Sequence, residues 1–190
     1  LYDALEKQFD QPMSQAAYQS LNKLCVRLVF CLYAEDSGLF ETKTQFHDYL
    51  ANRGKAGVGR INTALRDLFR ILNTKPEERD PYEDEELALF PYVNGGLFAD
   101  SHILIPPFTQ DAYDTLVNRA SEGFDWSEIS PTIFGSVFES TLNAETRRQG
   151  GMHYTSVENI HKVIDPLFLN DLKADFETLK KSVRGGGNNT

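Results

Sequence analysis

Apolar positions along this chain recur mainly at helical spacing, and one run dominates. Between Ser14 and Asp36, Leu21, Leu24, Cys25, Leu28 and Leu32 share a helical face, while Val26, Val29, Phe30 and Tyr33 occupy the other sides. A helix that is apolar nearly all round belongs at the centre of its domain, and Gly38 is a natural stop for it. A second helix is predicted from Thr42 to Arg53, with Thr42 and Gln45 as a capping box and Phe46, Tyr49 and Leu50 inward. After a loop holding Gly54, Gly57 and Gly59, the positions Ile61, Leu65, Leu68, Phe69 and Leu72 mark a third helix, with Arg66 and Arg70 one turn apart on another face. A fourth runs from Thr109 to Glu122 with Ala112, Leu116 and Ala120 inward. Ser130-Pro131 opens a fifth, lined by Ile133, Phe134, Val137, Phe138 and Leu142. A last helix begins at Thr155, meets Pro166, where it kinks or ends, and continues from Leu167 to Lys181.

Other stretches break the pattern. Phe90 to Phe98 places aromatic and apolar clusters on both sides of the Asn94-Gly95-Gly96 turn signal, which fits a short hairpin or a packed loop. Ile103 to Phe108 is extended, because Pro106 and Pro107 disfavour helix. Asp125-Trp126-Ser127 begins a short turn, and the acidic stretch around Pro76 and Pro81 reads as a solvated loop. The whole is a mainly α domain of six to seven helices with a short extended or hairpin region.

Charge adds detail. Glu35 and Asp36 end the central helix, where the helix dipole disfavours carboxylates. They therefore need partners: a basic residue elsewhere, or the backbone N–H groups of a neighbouring helix. The net charge of −9 argues against a general nucleic-acid-binding domain, yet the charge is uneven. Seven acids lie between Glu77 and Glu86, with Arg79 the only base among them. Over the eighteen residues from Arg53 to Arg70, the cations Arg53, Lys55, Arg60, Arg66 and Arg70 face only Asp67. That surplus suits DNA-backbone contacts, and equally a solvated face paired with the acidic stretch.

Composition narrows the class. An apolar content of 41% over 190 residues supports a sizeable core. No run of about 18 apolar residues predicts a membrane span. Cys25 and Cys31 lie about 9 Å apart along one helix and point to different sides, too far for a disulfide, so they read as reduced thiols. The four histidines show no metal-site spacing with them. Glu41 and Lys43 after Asp36 superficially match the acid pattern of metal-dependent nucleases, but that site needs a β-hairpin and these residues flank a helix end. The chain opens at Leu1 and ends in Gly-Gly-Gly-Asn-Asn-Thr, which reads as a piece of a longer protein.

The stretch from Arg147 to Leu169 carries the most distinctive chemistry. Gly150 and Gly151 lead into His153-Tyr154-Thr155-Ser156, and Thr155 with Glu158 forms a capping box for an amphipathic helix. Glycines running into a polar helix start suit an anionic group, and they equally suit a tight loop between helices. Gly151, His153, Tyr154, Thr155 and Ser156, followed by the capped helix and Pro166-Leu167-Phe168-Leu169, resemble the entry to the catalytic domain of SAM-dependent DNA adenine methyltransferases. The segments at Phe30–Phe40, Phe90–Phe98 and Asp125–Glu139 are similar to the spacer of the MmeI-like group, in which endonuclease and methyltransferase share one chain.

That resemblance covers about residues 21–179 and has several implications. Residues 1–148 would be a helical spacer domain, and 149–190 the truncated start of a methyltransferase domain. Gly151, His153, Tyr154, Thr155 and Ser156 would help to hold S-adenosylmethionine. The parent enzyme would act on double-stranded DNA in a prokaryotic cytoplasm, while this fragment would be monomeric and inactive. Neither the glycine-rich SAM loop nor the motif that holds the flipped adenine occurs between Leu1 and Thr190. Ser156 stands where many relatives carry proline. A different reading is a helical scaffold or partner-docking domain of a phage-defence protein, without direct DNA contact.

Overall fold

The computed structural model describes residues 1–93 and 96–130, together with Ile133, Leu172, Lys173, Phe176, Glu177 and Lys180. Among these it is mainly α, with six α-helices and no strand. They are α1 (Tyr2–Glu6), α2 (Gln15–Asp36), α3 (Gln45–Lys55), α4 (Ile61–Leu72), α5 (Glu85–Ala88) and α6 (Gln110–Asp114). The helices expected from Ser130 and Thr155 lie outside the described residues, apart from those isolated positions.

The central helix forms as its pattern requires. Ser14 caps α2 by accepting the Ala17 N–H. Leu21, Leu24, Leu28 and Leu32 are buried, and so are Val26 and Cys31 on other sides. The thiols of Cys25 and Cys31 are free, and burial raises that of Cys25 to about 11. The helix stops in a paired-carbonyl turn. Gly38 takes φ +73°, its N–H donates to Glu35 O, and the Leu39 N–H donates to Ala34 O. A Cβ at Gly38 would have space but the wrong backbone, so glycine is selected by conformation.

Just inside that stop, Glu35 and Asp36 answer the question their position poses. Glu35 is 2% exposed. Its Oε1 accepts the N–H groups of Phe46 (2.7 Å) and His47 (3.0 Å), in the first turn of α3. Asp36 Oδ2 accepts the N–H of Trp126 (2.7 Å), which opens the 3₁₀ turn Trp126–Glu128. Each carboxylate leaves the negative end of one helix for the free donors of another segment.

This cap corrects the expectation for α3. The helix starts at Gln45, three residues after Thr42, and its N-cap Thr44 makes no side-chain cap. Gln45 Oε1 instead accepts the Glu41 N–H (2.8 Å). A buried carboxylate satisfies two of the orphan donors at once, so a local hydroxyl is not needed there. Phe46, Tyr49 and Leu50 are buried as expected.

Helix α4 lays Ile61, Leu65, Leu68, Phe69 and Leu72 into the core against α2 and α3. Its C-terminus is stitched by Arg79, which donates to Ile71 O, Thr74 O and Ala88 O. The acidic stretch is therefore a loop tied down by its one cation, with a 3₁₀ turn at Pro76–Glu78 and the short α5 capped by Asp84. Beyond it, Phe90 and Phe98 form a packed loop rather than a hairpin. Phe90 meets Phe40 and Tyr49 edge-on, and Phe98 meets Phe30 edge-on and Phe69 at a tilt. The Val93 N–H donates to Leu72 O (2.7 Å). The stretch 103–108 is extended without a partner strand among the described residues, burying Ile103, Ile105 and Phe108 and exposing Leu104.

Helix α6 continues into a π-helical turn, Thr115–Ser121, so the predicted helix to Glu122 is present but widened. In its last turn the Ala120 carbonyl accepts the Trp126 indole N–H (2.7 Å). At its end Gly123 is required sterically, since a Cβ there would sit 2.5 Å from Arg119 O. His47 reaches across from α3 to Glu122, Nε2 to Oε1 at 3.2 Å. Among the described residues no helix is long and apolar enough to cross a membrane.

Burial raises the Glu35 carboxyl above its ordinary 4.5, against the pull of the His47 and Phe46 N–H bonds. The folded state thus holds this proton more tightly than the unfolded chain. Its contribution to stability is greatest at low pH and falls as pH rises from about 4.5 through the raised folded value. Glu35→Gln keeps an Oε1 acceptor for α3 and removes that titration. Thermal unfolding from about pH 4 to about pH 8 should show the variant gaining on wild type as pH rises. Glu35→Ala should cost about 1–2 kcal/mol at low pH, as expected for a lost helix cap, and less as pH rises through the raised folded value. An unchanged pH profile for Glu35→Gln would contradict the assignment.

Candidate nucleic-acid interface

The five basic residues between Arg53 and Arg70 come from three consecutive pieces: the end of α3, the 3₁₀ turn Val58–Arg60, and the outer face of α4. The amphipathic period of α4 forces this outcome. With Ile61, Leu65, Leu68 and Leu72 inward, Arg66 and Arg70 must face out. Arg60, Thr63, Asp67 and Arg70 line one side of a groove of about 440 Å³, and Glu83 and Asp84 from the acidic loop line the other.

The acidic loop engages two of the five. Arg70 holds Glu83 with two parallel bonds, Nη1–Oε2 at 2.8 Å and Nη2–Oε1 at 3.0 Å. Arg53 Nη2 lies 2.8 Å from Asp84 Oδ1 and 3.3 Å from Glu86 Oε2, with its guanidinium 5.0 Å from the Tyr49 ring centre. The bond to Arg70 lowers the Glu83 carboxyl and raises the Arg70 guanidinium. Burial raises Asp84, and the Arg53 bond outweighs it, leaving Asp84 below the ordinary carboxylate value.

The other three are held loosely. Lys55 donates to Asn52 Oδ1 (2.8 Å), and Asn52 in turn donates to Glu86 (2.9 Å). Arg66 Nη2 donates to the Ile105 carbonyl at 3.3 Å and makes no ion pair among the described residues. The Arg60 side chain is exposed and makes no hydrogen bond or ion pair among them. The geometry thus brings Arg53, Arg60 and Arg70 to one groove and leaves Arg66 beside the Ile105 carbonyl and Lys55 at Asn52, so that, among the described residues, two of the five are ion-paired and three are not. The half-exposed Arg53 pairs are worth only about 0–1 kcal/mol and exchange readily for another anion, while the two parallel bonds to Glu83, a side chain only 12% exposed, hold Arg70 more firmly.

Two further points concern residues singled out from sequence. Gly151, His153, Tyr154, Thr155 and Ser156, the cofactor candidates, lie outside the described residues. Arg27, which sequence reading passed over inside the apolar run of α2, is a buried cation beside Phe69 and Phe98. Its signal was available: Lys23 and Arg27 stand one turn apart in an otherwise apolar stretch. Among the described residues no cluster of His, Cys, Asp or Glu could hold a metal ion.

Comparison with known proteins fits this architecture. Residues 19–98 match the family described as MmeI, helicase spacer domain. DNA methyltransferase A of Bacillus subtilis (strain 168) is 34% identical over 176 residues, which cover 93% of this chain and 19% of the relative. The solved type IIL restriction-modification enzyme MmeI, in complex with DNA, is 39% identical with a TM-score of 0.59, covering 94% of this chain and 23% of that one. The chain spans about a fifth of the length of these relatives. Residues 19–98 are therefore identified as an MmeI helicase spacer domain, and nearly the whole chain is similar to the type IIL restriction-modification enzyme MmeI.

Proposed function

We propose that this chain is the helical connector of a DNA adenine methyltransferase that carries an endonuclease on the same polypeptide. Residues 1–148 act as the spacer, and 149–190 begin the methyltransferase domain. The parent enzyme uses S-adenosylmethionine, acts on double-stranded DNA, and serves phage defence in a prokaryotic cytoplasm. The observation that carries this reading is the likeness, along nearly the whole chain, to an enzyme solved in complex with DNA. The isolated connector is monomeric and catalyses nothing, because base methylation needs a bound methyl donor and a pocket for the extruded base.

In this reading Arg60 and Arg66 make the first contacts with the DNA backbone, since neither spends its charge on a carboxylate among the described residues. Arg53, Lys55 and Arg70 join as phosphate replaces Glu83, Asp84 and Glu86. A second reading, a connector or docking domain with no DNA contact, is favoured by the ion pairs of Arg53 and Arg70, which already neutralise part of the basic surplus.

Salt separates the two readings. Each phosphate contact removed lowers the slope of log affinity against log salt by about one. In the full-length protein, Arg60→Ala/Arg66→Ala should therefore flatten DNA binding across a salt series by about two. An unchanged slope and affinity would assign the domain a spacing role only.

The cofactor segment has its own test. Thr155→Val removes a hydroxyl and keeps the volume. In the full-length protein, calorimetry should show S-adenosylmethionine binding weakened by about 1 kcal/mol, roughly fivefold in Kd. Wild-type affinity with an intact fold would remove Thr155 from the cofactor site.

A further inference from the structure

The three acids that meet the groove arginines have different duties. Asp84 Oδ1 accepts the N–H groups of Glu86 (3.1 Å) and Leu87 (3.3 Å) as the cap of α5, and it meets Arg53 Nη2 as well (2.8 Å). Moving it would uncap that helix. Glu86 is shared between Asn52 (2.9 Å) and Arg53 (3.3 Å). Glu83 is committed to one partner. Both of its oxygens lie on Arg70, at 2.8 and 3.0 Å. Among the described residues its one other side-chain bond accepts the Asp84 N–H, at a long 3.4 Å. No helix start depends on Glu83, so its carboxylate serves Arg70 first.

The backbone that carries Glu83 is tied on both sides. Its own N–H donates to Asp80 O (3.1 Å), and the Tyr82 N–H donates to Asp80 Oδ1 (2.9 Å). After it comes the Asp84 cap, and Arg79 binds the two ends of the loop together through Ile71 O, Thr74 O and Ala88 O. A closed loop therefore delivers one carboxylate to one guanidinium. Two oxygens on two nitrogens is the arrangement in which a guanidinium takes a phosphate as well as a carboxylate. Arg70 is half-exposed and lines the groove with Arg60, whose side chain has no partner among the described residues. Asp67, three residues before Arg70 on α4, lines the same groove. The bond to Arg70 holds the Glu83 carboxyl below its ordinary value, so the pair stays charged at neutral pH.

We propose that Glu83 is a built-in phosphate mimic, an autoinhibitory contact that occupies Arg70 and sets how tightly this face holds a DNA backbone. The proposal rests on the reading that the face meets DNA, and it adds what regulates that contact. With Glu83 in place, Arg60 is the ready cation of the groove and Arg70 is withheld. A backbone phosphate reaches Arg70 by displacing Glu83, whose side chain rotates away while the tied loop stays closed. Asp84 cannot take this part without uncapping α5, and Asp67 stays beside Arg70 in either arrangement. The displaced carboxylate subtracts its own two bonds from the gain. Contact through this face is therefore weak until the rest of the enzyme holds a duplex against it.

The test measures binding of a mixed-sequence DNA duplex to the full-length protein at fixed salt. Wild type is compared with Glu83→Gln, Arg70→Gln and the double variant, and Glu77→Gln is the charge control. Glu77 is exposed in the same acidic stretch and does not line the groove, so it makes the same change of charge without freeing Arg70. Glu83→Gln should bind about fivefold more tightly than wild type, and Glu77→Gln less than about twofold more tightly. In the Arg70→Gln background the Glu83 substitution should add no more than the control, because no guanidinium is left to release. Should Glu83→Gln lower the melting temperature, Glu83→Asp keeps the charge, draws it back by one methylene, and should also tighten binding. Equal affinities of Glu83→Gln and Glu77→Gln, or a Glu83→Gln gain that survives in the Arg70→Gln background, would overturn the mimic. Weakened binding by Arg60→Ala/Arg66→Ala without any gain from Glu83→Gln would do so too, with the DNA reading left standing. An affinity that none of these substitutions changes would overturn the DNA reading itself, and the mimic with it.

Discussion

The pair of carboxylates that ends α2 is the joint on which the rest of the described fold depends. A helix of 22 residues surrounded by apolar contacts could be packed in many rotations and offsets. What fixes its neighbours is polar and directional. Glu35 holds the first turn of α3, and Asp36 holds the turn that opens at Trp126, 90 residues away in sequence. Both bonds relieve two unfavourable situations at once, a negative charge at a helix C-terminus and unsatisfied donors at another segment's start. Hydrophobic burial supplies most of the driving force here, but it is non-directional. These two side chains convert collapse into a specific arrangement.

The basic and acidic segments follow from that arrangement. Once α3 is seated by Glu35, its last turn lies beside α4, and Arg53 comes within reach of the loop after α4. Arg79 closes that loop onto the carbonyls of Ile71 and Thr74, and Glu83, Asp84 and Glu86 are held against the arginines. The groove between that loop and α4 is therefore an electrostatic boundary with cations on one side and carboxylates on the other. Its positive side is open at Arg60, and its negative side is anchored through a cation whose donors all go to backbone carbonyls.

Much of the helical content was legible in the sequence, because α2, α3 and α4 are long enough for their periodicity to be unambiguous. The short helices α1 and α5 hold too few turns to show a period. The start of α3 was misplaced because its cap comes from Glu35, on the preceding helix, and a local capping box cannot register a distant competitor. Sequence could say that Glu35 and Asp36 needed partners, and even that helix N–H groups would serve, but not which ones. At Phe90–Phe98 the aromatic clusters suit a hairpin and a packed loop equally, and only docking against Phe40, Tyr49 and Phe69 decides. In the candidate interface, the surplus of positive charge was visible, while the ion pairs of Arg53 and Arg70 depend on a fold-level meeting of two segments. Arg27 escaped notice because a single cation in an apolar helix reads as an interruption until the helix is seen to be buried on all sides.

The extended stretch from Ile103 to Phe108 bears on how such a domain behaves inside a long polypeptide. It buries Ile103, Ile105, Pro106 and Phe108 and leaves Leu104 outward, beside no strand among the described residues. Pro106 and Pro107 remove two consecutive N–H donors from it, and Arg66 occupies the Ile105 carbonyl. A second copy therefore finds no continuous ladder to extend. Two imino acids thus blunt this stretch against strand exchange and aggregation, without a covering element.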